Sequence, residues 1–182
     1  GAEVRRAAAD LLFLTLEKRR TLDQAMAESA PFNDLDGSDR GFARAIASAE
    51  QAQELAERAA ALRGAGILQR DTGDPDDALE QLDAALEVFD EIGDTSGGAT
   101  TLCAIGRTLA QMGRTDEARS RLTSGLRQAR RSGHGALEAD LLVLLGELDL
   151  AGGGADDALE RFREAEALGV AGVLDAARRG RI

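Results

Sequence analysis

A set of small and apolar residues that recurs every forty positions is the strongest constraint on this 182-residue chain. Five columns of such residues keep one register through three copies. The columns are Gly66, Gly106 and Gly146; Gly73, Gly113 and Gly153; Ala78, Ala118 and Ala158; Leu82, Leu122 and Phe162; and Ala85, Gly125 and Ala165. A period of 20–50 residues is typical of stacked repeats, in which each unit buries its apolar face against the next. From about residue 55 onward the chain is therefore predicted to be a repeat protein.

The spacing within each copy indicates two antiparallel helices joined by a short turn. The second glycine column ends the first helix in a left-handed cap, and the small residues let the two helices approach closely around Leu82 and its counterparts. Asp74 and Thr115 are expected to cap the second helices, whereas Ala155 cannot. The segment Gly93–Gly98 is expected to extend the link to the next unit. Abundant alanine and leucine, with neither Trp nor Tyr, favour an all-α fold.

These columns resemble tetratricopeptide repeats of the longer, forty-residue kind, over about residues 55–168. The resemblance implies a right-handed superhelical stack of three helix pairs whose concave groove binds peptides or partner proteins. The residues themselves, discussed below, predict a protein that is not an enzyme and uses no cofactor.

One position departs from the pattern of that family. The aromatic residue usually found three positions after the first small residue is replaced by Gln69, Leu109 and Asp149. We expect its packing role to pass to neighbours such as Leu68 and Leu148.

Helix phase predicts which residues face the groove. They are Arg63, Ile67, Arg70, Cys103, Arg107, Val143 and Glu147. The Lys and Asn pairs of the family's carboxylate-clamp subset are missing. The three arginines can attract an acidic ligand, but Glu147 and Asp140 oppose this at the other end. A solvated face without a ligand is the alternative.

The first fifty residues predict three helices. Glu3–Arg20 forms the first, Thr21–Gln24 has the form of a capping box that starts a short second helix, and Pro31–Gly37 is a loop. Ser38 is expected to cap a long alanine-rich helix over Ser38–Arg70 that continues into the repeats. The expected core of this part is Leu11, Leu12, Leu16, Leu22, Phe32, Phe42 and Ile46, with Phe13 and Leu14 widening the apolar face of the first helix.

Three motifs in this part occur in an order that resembles the start of NusB-type domains. They are Arg5-Arg6-Ala7-Ala8, Thr21-Leu22-Asp23-Gln24-Ala25 and Asp39-Arg40-Gly41-Phe42-Ala43-Arg44. The closest likeness is to the N-terminal domain of ribosomal-RNA cytosine methyltransferases, over about residues 3–48. The resemblance implies an RNA-associated helical module with basic residues at Arg5 and Arg6. Such domains continue for several more helices, whereas here an acidic and glutamine-rich stretch follows Ala49.

Charge and residue counts restrict the classes of function. The net charge is −11, of which residues 1–49 carry −1, so nucleic-acid binding is not expected. One cysteine excludes an internal disulfide, and one histidine, His134, excludes a His-rich metal site. The apolar run Leu11–Leu16 is too short for a membrane span or a signal peptide. We expect a monomer in a cytosol-like compartment, or a recombinant product if the chain is engineered.

No catalytic constellation is recognisable. Cys103 is predicted to lie within a helix and His134 in a link, too far apart for a nucleophile–base pair. The acidic pairs Asp76-Asp77 and Asp156-Asp157 fall in the first turns of helices, where carboxylates offset the helix dipole.

The sequence thus predicts a NusB-like segment (1–49), three repeats (50–168) and a C-terminal part (169–182) with a closing helix over Val170–Arg179. The main functional hypothesis is an engineered chimera, a scaffold without native activity, suggested by the truncated first segment, the abrupt change of pattern near residue 50 and the Gly1-Ala2 start. The first alternative is a natural module that binds a peptide in the groove of the repeats. The second alternative is an RNA-associated adaptor.

Overall fold

The computed structural model describes residues 1–16, 18 and 20–178. Every regular element in this part of the chain is an α-helix, which confirms the predicted all-α class. The helices are α1 Ala2–Leu16, α2 Leu22–Glu28, α3 Ala30–Asn33, α4 Gly37–Thr72, α5 Pro75–Glu91, α6 Thr95–Gln111, α7 Thr115–Ser132, α8 Gly135–Ala151 and α9 Ala155–Arg178. The chain divides into two compact units, Gly1–Glu57 and Arg58–Ile182. None of the described helices combines the length and the apolar character that crossing a membrane requires.

The first unit has a core made largely of alanine. Its buried apolar residues are Val4, Ala7, Ala8, Leu11, Ala25, Phe32, Leu35, Ala43 and Ala47, with Leu14, Met26 and Ile46 packed against them. Leu12, Leu16 and Leu22, which were expected in this core, are only partly buried. The alanines Ala7 and Ala8 of α1 and Ala43 and Ala47 of α4 belong to this one cluster.

Two phenylalanines of this unit do not lie where the sequence predicted. Phe42 is 62% exposed and Phe13 is 50% exposed. Ala43 and Ala47, four residues apart, turn one face of α4 toward the core, and successive residues of a helix point about 100° apart. Phe42 therefore points away from the face that Ala43 occupies.

The predicted capping box is confirmed, but other boundaries differ. Gln24 donates its backbone N–H to Thr21 Oγ1 at 3.3 Å, and the Thr21 N–H donates to Gln24 Oε1 at 3.1 Å. α1 ends at Leu16 rather than Arg20, and Glu17 and Arg19 of that prediction lie outside the described residues.

The expected loop after Pro31 contains the short helix α3. Pro31 stands in the first turn of α3, where a backbone N–H is not needed, and Ser29 Oγ accepts from the Phe32 N–H at 3.2 Å. The cap of α4 is Asp36 rather than Ser38, because Asp36 Oδ1 accepts from the Asp39 N–H at 2.8 Å and Ser38 already lies within the helix. The long helix itself is present without a break.

Turns in the second unit recur every twenty residues, twice as often as the glycine column predicted. The residues with positive φ are Gly73 (97°), Gly93 (71°), Gly113 (76°), Gly133 (68°) and Gly153 (85°). The left-handed glycines of the second column are confirmed, and each stands between consecutive helices. Glycine is favoured here because it carries no Cβ to oppose this backbone conformation. One glycine turn thus separates each helix from the next, and the four helices α5–α8 have 17 or 18 residues each.

The links between helices are shorter than expected, and their caps differ. α6 already begins at Thr95, so most of the expected link Gly93–Gly98 is its first turn. Asp94 caps it by accepting from the N–H groups of Ser96 at 3.0 Å and Gly97 at 2.9 Å. The capping predictions for Asp74 and Thr115 are wrong: the Asp74 side chain makes no cap hydrogen bond, and Thr115 is already helical.

The close approach predicted for the first glycine column is confirmed. A Cβ atom added at Gly66, Gly106 or Gly146 would lie 2.8 Å from Leu82, 2.4 Å from Leu122 and 2.6 Å from Phe162, respectively. Real Cβ atoms do not approach their neighbours this closely, so the first helix of each pair contacts the second through its glycine backbone.

The positions that lack the family's aromatic residue are filled in three different ways. Leu109 is buried, Gln69 is half-buried, and Asp149 is 7% exposed and accepts hydrogen bonds from Arg119 of α7 and Arg161 of α9. Of the expected substitutes, Leu148 is buried but Leu68 is 64% exposed, so the prediction for Leu68 is wrong.

The C-terminal helix is not a separate closing element. α9 runs from Ala155 to Arg178 without interruption, so the expected helix over Val170–Arg179 is its continuation. Arg179, and the terminal residues 180–182 that were expected to fray, lie outside the described residues.

Candidate functional site

A cavity of about 530 Å³ lies between α6 and α8, the first helices of two successive pairs. Its lining residues are Arg107, Ala110 and Gln111 from α6, and Asp140, Val143, Leu144, Glu147 and Leu148 from α8. We refer to this cavity as the groove. It lies wholly within the second unit.

Helical periodicity explains how the sequence forms both walls. The lining residues recur at steps of three and four along each helix, so they form one stripe per helix. The faces turned away from these stripes hold buried residues such as Leu102, Ile105 and Leu142, which belong to the continuous core of the unit. Because those residues fix the rotation of each helix, the stripes are held toward the groove.

The structure brings three of the predicted groove residues together. Arg107, Val143 and Glu147 line the groove, and Asp140, which the sequence placed in opposition to the arginines, lines it as well. Cys103 lies one turn before Arg107 on α6 and is partly buried.

The three predicted residues on α4 do not line the groove. The Arg63 guanidinium lies 5.3 Å from the centre of the Phe89 ring, a cation–π distance, and Ile67 packs against the core. Arg70 pairs with its neighbour Asp71, at 2.8 Å between Nη2 and Oδ1. Their assignment to a ligand-binding face stays a prediction.

The electrostatics around Cys103 show that charged groups of three helices converge near it. Burial raises the pKa of the Cys103 thiol above its ordinary value; Arg107 lowers this pKa, Asp140 raises it, and Arg70 lowers it. Burial outweighs the two arginines, so the thiol stays protonated at neutral pH. A protonated thiol is a poor nucleophile, and the pattern is typical of a packed cysteine rather than a catalytic one.

Some charged side chains of the second unit form ion pairs, and others do not. Among the residues that the structure describes, Arg107, Asp140 and Glu147 take part in no ion pair. Some charges elsewhere on the second unit pair closely: Arg114 Nε lies 2.7 Å from Glu117 Oε1, and Arg130 Nε lies 2.7 Å from Glu138 Oε1.

The candidate base His134 and the candidate nucleophile Cys103 lie apart in the structure. His134 precedes α8, and its Nδ1 lies 3.0 Å from Ser96 Oγ, whereas Cys103 lies within α6. Over residues 1–16, 18 and 20–178, no cluster of His, Cys, Asp and Glu side chains has a metal-binding arrangement.

Sequence reasoning missed four lining residues: Ala110, Gln111, Leu144 and Leu148. Ala110 and Gln111 follow Cys103 and Arg107 at the spacing of one helical stripe, and Leu144 and Leu148 similarly follow Asp140. The stripe was recognisable, but its extent depends on how far α6 and α8 lie side by side.

A comparison with family models matches the tetratricopeptide repeat over residues 57–131 and again over 99–168. Together the two matches cover more than half of the chain. The chain belongs to the tetratricopeptide repeat family. Domains of this family generally bind peptides or proteins and generally lack enzymatic activity. A comparison with curated proteins finds no match.

Proposed function

We propose that this tetratricopeptide repeat protein is a protein–protein interaction module that binds a peptide segment of a partner in the groove between α6 and α8. The observation that carries the proposal is that the groove joins exposed apolar surface, Val143, to three charged residues without ion-pair partners in the described structure. Apolar contact supplies affinity for an extended peptide, and charges supply specificity.

The main hypothesis from the sequence, an engineered or chimeric scaffold without native activity, is less well supported than its alternative. The family match extends over residues 57–168 and favours an interaction module, and nothing in it points to an artificial origin. The NusB-like resemblance of residues 3–48 has no support beyond its motifs, so an RNA-linked role remains a hypothesis.

We also propose that the protein is not an enzyme. The support is the environment of Cys103, whose thiol is protonated and has no histidine beside it, and the general character of the family. The division into residues 1–49, 50–168 and 169–182, a monomeric state and a cytosol-like compartment are retained as parts of the same proposal.

The test is a selection of random peptides displayed on phage against the full-length protein. Recovered peptides are synthesised, and their affinities are measured by fluorescence anisotropy against wild type, Arg107→Ala and Val143→Ala. Since a few buried contacts dominate most interfaces, we expect one or both substitutions to weaken binding by about tenfold.

The matched control is Arg127→Ala, which removes an exposed arginine of α7 outside the groove. We expect this variant to bind like wild type. Peptides whose affinity is the same for all four proteins, or failure to recover any peptide, would contradict the proposed function.

A further inference from the structure

We infer that the groove selects peptides that carry both signs of charge: an acidic side chain at Arg107 and a basic side chain at Asp140 and Glu147, beside an apolar residue that covers Val143. This inference rests on the proposed function and specifies its ligand.

The first observation is that the two walls carry opposite charges. Arg107 stands on the α6 wall, and Asp140 and Glu147 stand on the α8 wall of the same cavity. A ligand in the groove thus meets a positive potential from one side and a negative potential from the other.

The second observation is that these opposite charges do not satisfy each other. They line one cavity, yet no nitrogen of Arg107 lies within ion-pair distance of either carboxylate among the described residues. Elsewhere on the unit, Arg130 contacts both Glu138 and Glu164, and Arg121 contacts Asp83. Other charges of the unit, such as Arg127 and Arg131, also form no ion pair among the described residues. What distinguishes the groove is that unpaired charges of opposite sign line one cavity.

The third observation is the apolar surface between the carboxylates. Val143 is 38% exposed and stands on α8 one turn after Asp140 and one turn before Glu147. Seven residues of helix separate the two carboxylates, or roughly 10 Å. An extended peptide covers that distance in about three residues. One short segment can therefore place a basic side chain at a carboxylate and an apolar side chain over Val143.

Peptides of one sign are disfavoured by the same arrangement. An acidic peptide would approach Asp140 and Glu147 and a chain of net charge −11, and a basic peptide would approach Arg107. Like charges brought together in an interface cost affinity and exclude wrong partners. A peptide of mixed charge avoids both costs when its acidic side chain faces Arg107 and its basic side chain faces Asp140 and Glu147.

The experiment uses the tightest peptide recovered in the phage selection. It is resynthesised with its acidic residues replaced by glutamine, with its basic residues replaced by glutamine, and with both replaced. Each is measured by anisotropy and by the rate at which a thiol reagent modifies Cys103, the only cysteine of the chain. We expect the parent peptide to slow the modification and each neutralised peptide to bind about tenfold more weakly.

Charge reversal tests which residues form the pairs. Arg107→Glu is expected to weaken the parent peptide, and a peptide with lysine in place of its acidic residue is expected to regain affinity for that variant. Glu147→Lys is likewise expected to weaken the parent peptide, and a peptide with an acidic residue in place of its basic residue is expected to regain affinity for that variant. The matched controls, Arg127→Glu and Glu160→Lys, change exposed charges outside the groove and should leave the affinities unchanged.

The outcomes separate the two proposals. If peptides protect Cys103 but their neutralised versions bind within about twofold of the parent, the charge inference is overturned and the interaction module stands. If no recovered peptide protects Cys103 or responds to groove substitutions, the proposed function fails and the charge inference fails with it.

Discussion

At the scale of single residues, the packing of helix pairs in the second unit depends on glycines, which have no side chain, as much as on the large apolar residues that face them. Gly106 carries no Cβ, and Leu122 of the facing helix occupies the space that a Cβ would need. Gly66 and Gly146 repeat the arrangement with Leu82 and Phe162. Glycine inside a helix weakens that helix, so close packing is the physical reason for finding it there.

Gly106→Ala tests this packing. The new Cβ would lie 2.4 Å from Leu122 Cγ, and Leu122 is fully buried and cannot move aside freely. Overpacking should cost about 1–3 kcal/mol, more than the gain in helix propensity of about 1 kcal/mol, so we expect net destabilisation in urea unfolding. Gly64→Ala is the matched control: its Cβ meets open space, and it should stabilise the protein. Equal stabilisation by both substitutions would show that the helices do not touch at Gly106.

Asp149 predicts a dependence of stability on pH. Burial would raise the pKa of Asp149, but hydrogen bonds from Arg119 and Arg161 outweigh burial and lower this pKa. A carboxyl group whose pKa is lowered by folding contributes stability above its unfolded pKa, about 3.9, and that stability is lost as pH falls through the folded pKa.

Asp149→Asn should therefore cost about 1–3 kcal/mol of unfolding free energy near neutral pH, because each arginine loses its charged partner. The difference from wild type should shrink as pH falls below about 4. Denaturant unfolding at a series of pH values measures this difference. Glu87→Gln, at an exposed position away from the ends of α5, should change stability by less than about 0.5 kcal/mol at every pH. A constant difference for Asp149→Asn across the range would contradict the ionic role.

At the scale of helices, the twenty-residue spacing of turns sets the architecture of the second unit. Each turn has a glycine with positive φ, but the helix starts differ in how they are capped. Only some have a side chain that accepts from the first backbone N–H groups: Asp94 does so before α6, and Asp74 does not before α5. The unequal caps predict unequal sensitivity to substitution.

Asp94→Ala and Asp74→Ala form a matched pair. The first removes two accepted hydrogen bonds at the start of α6 and should destabilise the protein by about 1 kcal/mol. The second removes a side chain without such bonds and should cost clearly less. Thermal unfolding of the two variants measures the difference. A larger loss for Asp74→Ala would mean that its side chain caps α5 in solution.

At the scale of the whole molecule, the net charge bears on whether the chain binds nucleic acid. Acidic residues outnumber basic ones, 33 to 22, and the net charge is −11. Binding to phosphate backbones depends on clustered Lys and Arg that displace counterions. Arg5 and Arg6 are exposed, but two arginines supply few phosphate contacts.

We therefore expect no retention of single- or double-stranded RNA in a gel-shift assay at about 150 mM salt. A basic RNA-binding protein serves as the positive control. An RNA complex that weakens with salt and is lost in the Arg5→Glu/Arg6→Glu variant would instead support the RNA-associated hypothesis.

Much of the second unit could be predicted because its determinants are local and repeated. A left-handed turn needs glycine at Gly73, Gly113 and Gly153, and a close helix crossing needs a small residue opposite a large one. The first unit contains no repeat, so helix phase was the only guide to its buried residues, and it wrongly placed Phe42 in the core. Of the seven predicted groove residues, Arg107, Val143 and Glu147 line the cavity, whereas Arg63 lies over Phe89, a contact that helix phase does not show.

The sequence by itself determined that this chain is helical, that its second part repeats, and where the glycine turns at Gly73, Gly113 and Gly153 lie, because backbone sterics and helical period act within a few residues. Only the tertiary structure decided which faces are buried and which charges meet. Asp149 is held by Arg119, thirty residues earlier, and by Arg161, twelve residues later, and in the groove Arg107 precedes Asp140 by 33 residues and Glu147 by 40. Such pairs depend on how helices pack, and packing is settled by the whole set of buried contacts at once.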